Sequence, residues 1–364
     1  MKNNLNLRQN LINVDDYYNR ARLLMPSSNF DYFAGASCDE ITLHKNQSDF
    51  QNIEILPSVL KDVSSISLDC QILNHDYKFP LMLAPLAFQS LAYPSGEIES
   101  AKAAGDLGIN MILSTLSSTS LENVIRYNRN AWFQLYLFKD RKINLDLIER
   151  AKIAGYKAIV VTVDSQFSGK RERDWRNNFS LPNSIAPANL SKYNFPQLKA
   201  RTDSWLHNFI DQNYDKSFTW SDLQNLIENC SLPVLVKGIL TSNDARQAIN
   251  MGAAGIVVSN HGGRTADTTI SAIKALARLT EKINPDETTI LFDSGIRRGS
   301  DIFKALCLGA KAVCIGRPYI WGLAVERQMG VVKVINLLVE ELKTTMGIAG
   351  VNDIGLLNRD YIIV

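Results

Sequence analysis

Short apolar runs alternate with amphipathic stretches from residue 80 to about residue 345 of the chain. Apolar runs of about four to eight residues are typical of strands in a parallel sheet that is covered on both faces. We assign eight such strands, to residues 80–84, 110–114, 131–137, 157–164, 232–237, 255–259, 288–293 and 312–316. Helical stretches separate them, among them residues 96–107, 144–154, 242–251, 269–283 and 300–308. Eight βα units in succession predict an α/β fold, a closed (β/α)8 TIM barrel with its active site at the carboxyl ends of the strands.

Two segments fall outside this repeat. Residues 1–79 are expected to form short helices and strands that cover the barrel. Residues 166–218 interrupt the repeat after the fourth strand and are rich in Asn, Pro and Ser. Long insertions of this kind commonly act as active-site lids or surface loops. We therefore interpret residues 1–364 as one domain, with a covering segment at 1–79 and a lid loop at 166–218.

Composition narrows the class of protein. The formal charge of +2 is far from the basic excess of a nucleic-acid surface, so no nucleic-acid partner is expected. No apolar run approaches the ~18 residues of a membrane span, and the amino-terminal residues are polar, so we expect no membrane partner. The cysteines form no C-x-x-C pair and are odd in number, which favours reduced thiols in a cytoplasmic protein. They are Cys38, Cys70, Cys230, Cys307 and Cys314.

The strongest chemical signal follows the sixth strand, where residues 258–267 read V-S-N-H-G-G-R-T-A-D. A histidine such as His261 can accept a proton near neutrality, and the guanidinium of Arg264 can grip a carboxylate with two hydrogen bonds. Gly262 and Gly263 allow a ligand to approach the backbone closely. The alternative is a turn at a strand end whose histidine only caps a helix.

Polar residues also stand at other strand ends, where a barrel places its active site. Gln134 and Tyr136 lie near the end of the third strand, and Asp164 ends the fourth. Lys237 ends the fifth strand, where an unpaired ammonium would be costly to bury. Its partner is expected to be a bound anion, an electron-rich cofactor ring or a carboxylate on a neighbouring strand. The residues leave these possibilities open.

Two glycine-containing loops follow the last two strands. Residues 293–299 read D-S-G-I-R-R-G and residues 315–318 read I-G-R-P. Barrels commonly bind a phosphate beside these strands, with backbone N–H groups and a helix N-terminus as donors. We therefore predict a phosphate site here. No G-x-G-x-x-G follows an early strand, so a Rossmann dinucleotide site lacks its fingerprint.

Taken together, these residues resemble the flavin-dependent 2-hydroxy acid oxidase and dehydrogenase family, which includes glycolate oxidase, lactate oxidase and mandelate dehydrogenase. The resemblance runs from about residue 13 to residue 350. It rests on F-D-Y-F-A-G at 30–35, L-A-P-L-A at 83–87, F-Q-L-Y at 133–136, T-V-D at 162–164, L-V-K-G at 235–238, S-N-H-G-G-R at 259–264, and the two loops just described. It implies an FMN cofactor in a (β/α)8 barrel and oxidation of an (S)-2-hydroxy acid to the 2-oxo acid.

The resemblance also implies roles for individual residues. His261 would be the catalytic base, Asp164 its partner, and Tyr136 a hydrogen-bond donor to the reacting oxygen. The substrate carboxylate would be held by Arg264, Arg171 and Tyr32. The FMN ring would be contacted by Ala84, Pro85, Leu86, Ala87, Ser114, Gln134, Thr162, Lys237 and Ser259. The ribityl chain and phosphate would be held by Asp293, Ser294, Gly295, Arg297, Gly316 and Arg317.

Some positions depart from the family pattern. Leu86 stands where close relatives often have threonine. Leu116, on the substrate side, stands where glycolate oxidase has a tryptophan, so we expect a larger or more apolar pocket. Gln166 and Phe167 replace the usual proline and basic residue. Arg327 replaces a common glycine in the last helix, where we expect little effect.

The electron acceptor and the assembly are predicted from the same resemblance. We expect O2 as acceptor, with release of hydrogen peroxide, and a homotetramer or higher homo-oligomer. Hydride transfer to the flavin is favoured, and carbanion formation stays open. The alternatives are a soluble dehydrogenase that uses a quinone or another carrier, an FMN-barrel isomerase, and a non-catalytic flavin-binding protein.

Overall fold

Eight parallel strands pair in chain order and close into a barrel. The structure is a computed structural model that describes residues 10–196 and 205–364. The strands are β1 (Leu81–Leu83), β2 (Asn110–Leu113), β3 (Trp132–Leu135), β4 (Ile159–Thr162), β5 (Val234–Ile239), β6 (Gly255–Val258), β7 (Thr289–Asp293) and β8 (Ala312–Ile315). Val313 of β8 pairs with Leu81 of β1, which closes the ring. Each strand coincides with one of the eight predicted runs, so the predicted barrel is confirmed.

The strands are apolar along their length because both faces of the barrel wall are buried. Alternate residues, one from each strand, pack together inside the barrel: Met82, Ile112, Trp132, Val160, Leu235, Val257, Leu291 and Cys314. Their neighbours along the strands, such as Leu83 and Phe292, belong to a second core between the barrel wall and the surrounding helices. The interior is therefore filled with side chains, and a ligand site is left only at the strand ends.

The predicted helices are also present, with shifted ends. The helices around the barrel are Gly96–Leu107, Leu121–Val124, Arg141–Ala154, Trp220–Asn229, Ser242–Asn250, Ala272–Thr280, Gly299–Cys307 and Arg317–Ala349. The helix predicted at 144–154 begins earlier because the Asp140 side chain caps it by accepting a hydrogen bond from the Lys142 N–H. The helix predicted at 269–283 begins later because the Thr269 N–H donates to Thr42 Oγ1 of the covering segment.

The covering segment contacts both ends of the barrel. The strands Cys70–Ile72 and His75–Tyr77 form a hairpin whose Ile72 and Tyr77 pack against the interior side chains at the amino end of the strands. The helices Val14–Leu24, Ser27–Ala34 and Ile41–Ser48 precede it. At the other end of the barrel the Ser37 N–H donates to Gly263 O at 2.8 Å, in the histidine loop. The short strands Glu54–Ile55 and Ile362–Ile363 join this segment to the end of the chain.

The segment predicted as a lid loop is partly helical. It contains the helix Glu172–Arg176, a 3-10 turn at Ala188–Leu190 and the helix Trp205–Asn213. Residues 197–204 of the predicted lid lie outside the described residues. The same holds for residues 1–9 of the covering segment. Arg173 forms ion pairs with Asp31 and Glu40 of the covering segment. These contacts hold the start of the segment against the carboxyl end of the barrel.

The last helix, Arg317–Ala349, is interrupted at Glu326 and Arg327. Arg327 has φ 57° and ψ −140°, a conformation that a residue other than glycine adopts only with strain. The break lets the two parts of the helix pack closely. Gly322 and Gly330 meet at this contact, where a Cβ on Gly322 would lie 2.4 Å from the carbonyl oxygen of Gly330. Arg327, where we expected little effect, therefore stands at a strained position of the backbone. No helix in the described parts of the chain is long and apolar enough to cross a membrane.

We predict that Arg327→Gly stabilises the protein. Relief of the backbone strain contributes about 1–3 kcal/mol. The greater freedom of glycine in the unfolded chain and the loss of the guanidinium contact over the Tyr93 ring offset part of this, about 0.5–1 kcal/mol each. We expect a net gain of about 0.5 kcal/mol in the free energy of unfolding, measured by urea denaturation. Arg327→Ala is the control, because it loses the ring contact but keeps the strain, and it should destabilise slightly. Equal stability of the two variants would contradict the prediction.

Candidate active site

A pocket opens at the carboxyl ends of the barrel strands, between the covering segment and the start of the segment after β4. Most of the predicted site residues line it: Tyr32, Ala84, Pro85, Leu86, Ala87, Leu116, Gln134, Tyr136, Thr162, Arg171, Lys237, His261, Arg264, Asp293, Ser294, Gly295, Arg297, Gly316 and Arg317. Asp164, Ser114 and Ser259 do not line the pocket but support residues that do. The hydroxyl of Ser114, for example, accepts from the Leu116 N–H at 3.1 Å.

His261 is oriented by a carboxylate behind it. Its Nδ1 lies 2.9 Å from Asp164 Oδ1, and its backbone N–H donates to Ser259 Oγ at 3.0 Å. Burial opposes ionisation of Asp164, but its electrostatic interaction and hydrogen bond with the His261 side chain, with help from Lys237, outweigh it and lower the pKa of that carboxyl. Asp164 is therefore an anion that fixes the imidazole with Nδ1 toward it, and Nε2 is left as the other ring nitrogen for a ligand in the pocket.

The turn that carries His261 needs its two glycines. His261, Gly262 and Gly263 have φ values of 58°, 66° and 77°, so three successive residues are left-handed. A Cβ on Gly262 would lie 2.6 Å from Arg317 Nη1, and one on Gly263 would lie 2.9 Å from the backbone nitrogen of Leu43. The sequence H-G-G therefore satisfies both the backbone conformation and the close contacts on either side of the turn.

Lys237 forms an ion pair in the floor of the pocket. Its Nζ lies 3.2 Å from Asp293 Oδ2 and donates to Ser259 Oγ at 3.0 Å, and only 4% of the residue is exposed. Burial would lower the pKa of the amine, but Asp293 and Asp164 outweigh it and raise that pKa, so the group stays an ammonium. Of the partners left open by the sequence, the structure contains a carboxylate, but it comes from β7, two strands away, and not from a neighbouring strand.

Two guanidinium groups face one aromatic ring at the edge of the pocket. The guanidinium carbons of Arg264 and Arg171 lie 5.1 Å and 5.5 Å from the centre of the Tyr32 ring. Arg264 Nη1 donates to the carbonyl oxygens of Tyr32 at 2.6 Å and Gly35 at 2.9 Å. Arg171 forms an ion pair with Asp174 at 3.2 Å. Burial, reinforced by the charge of Arg171, lowers the pKa of Arg264, so an anion placed between the two would be strongly favoured.

A second group of cations lies near the ends of β7 and β8. Arg317 donates to the carbonyl oxygens of Phe33 and Gly35, each at 2.8 Å, and of Gly262 at 3.1 Å. Burial, followed by the charges of Arg264 and Arg297, lowers the pKa of Arg317. The helices Gly299–Cys307 and Arg317–Ala349 begin here and add the positive ends of their dipoles. This corner therefore has the donors and the excess positive charge that suit a phosphate.

Glycine keeps that corner open. A Cβ on Gly316 would have Ala84 Cβ and Leu86 Cδ1 as its nearest neighbours, both at 3.9 Å, so a larger side chain would extend into the pocket. The pocket thus combines an ammonium in its floor, a phosphate-compatible corner and apolar walls at Ala84 and Leu86. Such a donor set suits an FMN molecule.

Sequence reasoning missed part of the pocket wall. Leu206 and Ile210 of the helix Trp205–Asn213, followed by Tyr214, line the pocket. Tyr214 stacks on Tyr136 with ring centres 5.0 Å apart and planes at 28°. The apolar spacing of four residues from 206 to 210 to 214 was the available signal. It was hidden because the surrounding Asn, Pro and Ser residues favoured a loop.

Comparison with known proteins gives consistent results. A family model described as FMN-dependent dehydrogenase matches residues 21–364. The chain is 43% identical to an L-lactate oxidase of Nostoc sp., covering 96% of this chain and 98% of that protein. It is 41% identical to a 2-hydroxyacid oxidase of Dictyostelium discoideum, covering 98% and 91%. A crystal structure of mandelate oxidase with (S)-4-hydroxymandelic acid superposes with a TM-score of 0.91 at 37% identity, covering 97% of this chain and 98% of that one.

We predict that Gly238→Ala is far more destabilising than Gly155→Ala. Both glycines are left-handed, with φ 110° and 99°. A Cβ on Gly238 would lie 2.7 Å from Asp164 Cβ and Cγ, whereas one on Gly155 would have nothing within 4 Å. We expect a loss of about 1 kcal/mol for Gly155→Ala from conformation alone and about 3 kcal/mol for Gly238→Ala, where steric overlap adds to it. Urea denaturation measures both, and equal losses would show that Asp164 is free to move away.

Proposed function

Because the chain belongs to the family of FMN-dependent dehydrogenases, we propose that it oxidises an (S)-2-hydroxy acid to the 2-oxo acid and passes the electrons to O2. The family match confirms the predicted family and its FMN cofactor. The substrate loses two electrons and two protons in all, and O2 takes up the same number to leave as hydrogen peroxide. Similarity to proteins named 2-hydroxyacid oxidase and L-lactate oxidase supports an oxidase over a dehydrogenase with another acceptor.

The single observation that carries this proposal is the convergence of a base and an anion clamp in one pocket with a buried ammonium. His261 is held by Asp164 at 2.9 Å, Arg264 and Arg171 face the same side of the pocket, and Lys237 lies in its floor. A flavin-dependent isomerase would have no need of the two guanidinium groups. A non-catalytic flavin-binding protein would have no need of the His261–Asp164 pair.

In this proposal the substrate carboxylate binds to Arg264. Both observed hydrogen bonds of that side chain use Nη1, so the Nη2 and Nε donors are left to grip two carboxylate oxygens. Arg171 and the hydroxyl of Tyr32 complete the clamp. The backbone carbonyl oxygens that hold Arg264 keep it in place before the substrate arrives, which lowers the entropic cost of binding.

His261 takes the proton of the substrate hydroxyl as the neighbouring C–H bond breaks. The Asp164 carboxylate then stabilises the imidazolium and keeps Nε2 toward the substrate. Burial raises the pKa of Tyr136, so its phenol stays protonated and donates a hydrogen bond to the reacting oxygen. FMN, when bound, supplies the two-electron acceptor for the hydride that leaves the α-carbon.

We propose that the other predicted residues of the pocket and its support hold FMN. Ala84, Pro85, Leu86, Ala87, Ser114, Gln134 and Thr162 would surround the ring, and Lys237 with Ser259 would lie at its N1 and O2 edge. Negative charge gained by the ring on reduction would be stabilised there by a fixed ammonium. Asp293, Ser294, Gly295, Arg297, Gly316 and Arg317 would hold the ribityl chain and phosphate.

We also propose that the chain assembles as a homotetramer. Leu56, Val59 and Leu60 are exposed large apolar side chains close together in the covering segment, and Leu60 is fully exposed. Apolar surface of this kind is commonly covered in an assembly. Light scattering of the purified protein, which gives its mass in solution, tests this part of the proposal.

The proposed function is tested by the visible spectrum of the FMN-loaded protein under anaerobic conditions. We expect an (S)-2-hydroxy acid to bleach the flavin band, and air to restore it with about one equivalent of hydrogen peroxide per turnover. Bleaching that is restored by a quinone but not by air would identify a dehydrogenase. A flavin band that no 2-hydroxy acid bleaches would refute the proposal.

We predict that His261→Gln retains FMN but lowers the rate of flavin reduction by about 10³-fold. The substitution removes the proposed base and leaves the residues proposed to hold the FMN ring unchanged. Stopped-flow absorbance with saturating substrate measures the rate. His75→Gln is the control, since His75 lies in the hairpin at the other end of the barrel. Rapid reduction of the His261→Gln protein would exclude this histidine as the base.

We predict that Arg264→Lys weakens substrate binding by more than about tenfold, because an ammonium cannot replace two parallel hydrogen bonds to a carboxylate. The dissociation constant comes from the dependence of the reduction rate on substrate concentration. Arg246→Lys, on an exposed helix far from the pocket, is the matched control. An unchanged dissociation constant in the Arg264→Lys protein would argue against the clamp.

A further inference from the structure

Tyr319 is a buried tyrosine behind the pocket, and the mechanism above does not use it. The residue is completely buried in the first turn of the helix Arg317–Ala349. Its hydroxyl donates to the carbonyl oxygen of Ala84 at 3.0 Å and accepts from Gln89 Nε2 at 3.1 Å. Both partners belong to residues 84–89, the wall segment, which follows β1 and lines the pocket at residues 84–87. Tyr319 therefore contacts the wall segment from behind and does not itself reach a ligand.

The hydrogen bonds around Tyr319 run in one direction. A carbonyl oxygen only accepts, so the Tyr319 proton goes to Ala84, and the Gln89 amide donates to Tyr319. The amide oxygen of Gln89 then accepts from Ser100 Oγ at 2.7 Å. Burial, followed by the electrostatic effect of Glu97, raises the pKa of the Tyr319 phenol, so the phenol keeps the proton that it donates. A buried network whose members satisfy one another in this way favours a single arrangement of the wall segment.

The other end of the wall segment is fixed by the loop after β2. The Gln89 N–H donates to the completely buried carboxylate of Glu97 at 3.0 Å, and the same carboxylate accepts from the Ser118 N–H at 2.7 Å. The Phe88 N–H donates to Leu116 O at 3.1 Å. The wall segment is therefore tied to this loop as well as to the last helix.

Two backbone donors lie between these fixed ends. The N–H groups of Leu86 and Ala87 donate to no acceptor in the parts of the chain that the structure describes, and both residues line the pocket. Pro85, just before them, has a fixed φ that limits how this stretch can bend. Backbone N–H groups in folded proteins are nearly always paired, so two unpaired groups at a pocket point to a ligand that accepts hydrogen bonds. The flavin ring of FMN carries several acceptor atoms of this kind.

We propose that Tyr319 is a positioning residue for FMN. Through its contacts with Ala84 and Gln89 it holds the wall segment in one conformation, in which the two unpaired N–H groups are ready to donate to the flavin ring. This inference rests on the FMN cofactor of the family and not on the choice of hydroxy acid or electron acceptor. A reduced ring carries more negative charge than an oxidised one, so donors held in place stabilise the reduced form more strongly. Tyr319 therefore raises both the affinity for FMN and the reduction potential of the bound flavin.

Tyr319→Phe tests the inference because it removes only the hydroxyl. We expect FMN to bind about tenfold more weakly, measured by the flavin fluorescence that is released when the FMN-loaded protein is diluted. We expect reduced FMN to lose a further factor of about ten, which lowers the two-electron reduction potential by about 30 mV. Equilibration of the FMN-loaded protein with a dye of known potential measures this shift.

Tyr156→Phe is the matched control. Tyr156 is also a buried tyrosine whose hydroxyl donates to a backbone carbonyl oxygen, that of Leu121 at 2.9 Å, and neither residue lines the pocket. Both substitutions should reduce the stability of the protein to urea, because each leaves a buried carbonyl oxygen without its tyrosine donor. Only Tyr319→Phe should change the FMN affinity and the reduction potential. A purely structural role of Tyr319 would make the two variants behave alike.

Gln89→Met decides the question if Tyr319→Phe fails to fold. It removes the amide that donates to Tyr319 and nearly keeps the size of the side chain, so we expect a smaller loss of affinity and a smaller fall in potential. A wild-type affinity and potential in whichever of these variants folds would refute the inference, and so would an equal shift in Tyr156→Phe. Neither measurement uses a substrate. A wild-type protein that no hydroxy acid reduces would therefore refute the proposed function without touching this inference.

Discussion

The hydroxyl of Ser259 joins the charged groups on which the pocket depends. It accepts hydrogen bonds from Lys237 Nζ and from the backbone N–H of His261, each at 3.0 Å. Lys237 is in turn paired with Asp293, and His261 with Asp164. The ends of four successive strands, β4 to β7, are thus tied by one network. Since an isolated buried charge is costly, each charge here is placed where another strand supplies its partner, and the parallel barrel fixes those positions.

The backbone around this network is strained in ways that the network requires. His261 and Ser294 are left-handed without being glycine, and Gly238 is left-handed at a position where a Cβ would also strike Asp164. Left-handed residues at the ends of β5, β6 and β7 cost free energy that the packing of the barrel offsets. The side chains are consequently in position before a ligand binds. Little reorganisation is then needed for the proton transfer that we propose, which is the condition for strong electrostatic stabilisation in an active site.

The barrel was predictable from the sequence because its strands are buried on both faces and are therefore apolar without interruption. The positions of Asp164, Lys237 and His261 were predictable because they directly follow such runs. The ion pair between Lys237 and Asp293 was not predictable from the sequence. The two residues stand on β5 and β7 with β6 between them, and no sequence pattern indicates which carboxylate reaches across β6 to the lysine. The strain at Arg327 was also hidden, because it depends on the close approach of two parts of one helix that the periodic pattern treats as continuous.

The pocket has a charged side and an apolar side, and they stand on different parts of the chain. Lys237 lies in a barrel strand, and His261 and Arg264 follow one. The apolar wall consists of Leu206 and Ile210 on the helix Trp205–Asn213 and of Tyr214 directly after it, outside the repeating βα units. Because that helix contributes no group to the charged network, its residues can change without disturbing the network. The barrel thus fixes the charged part of the pocket, while a segment inserted between barrel units supplies the apolar part.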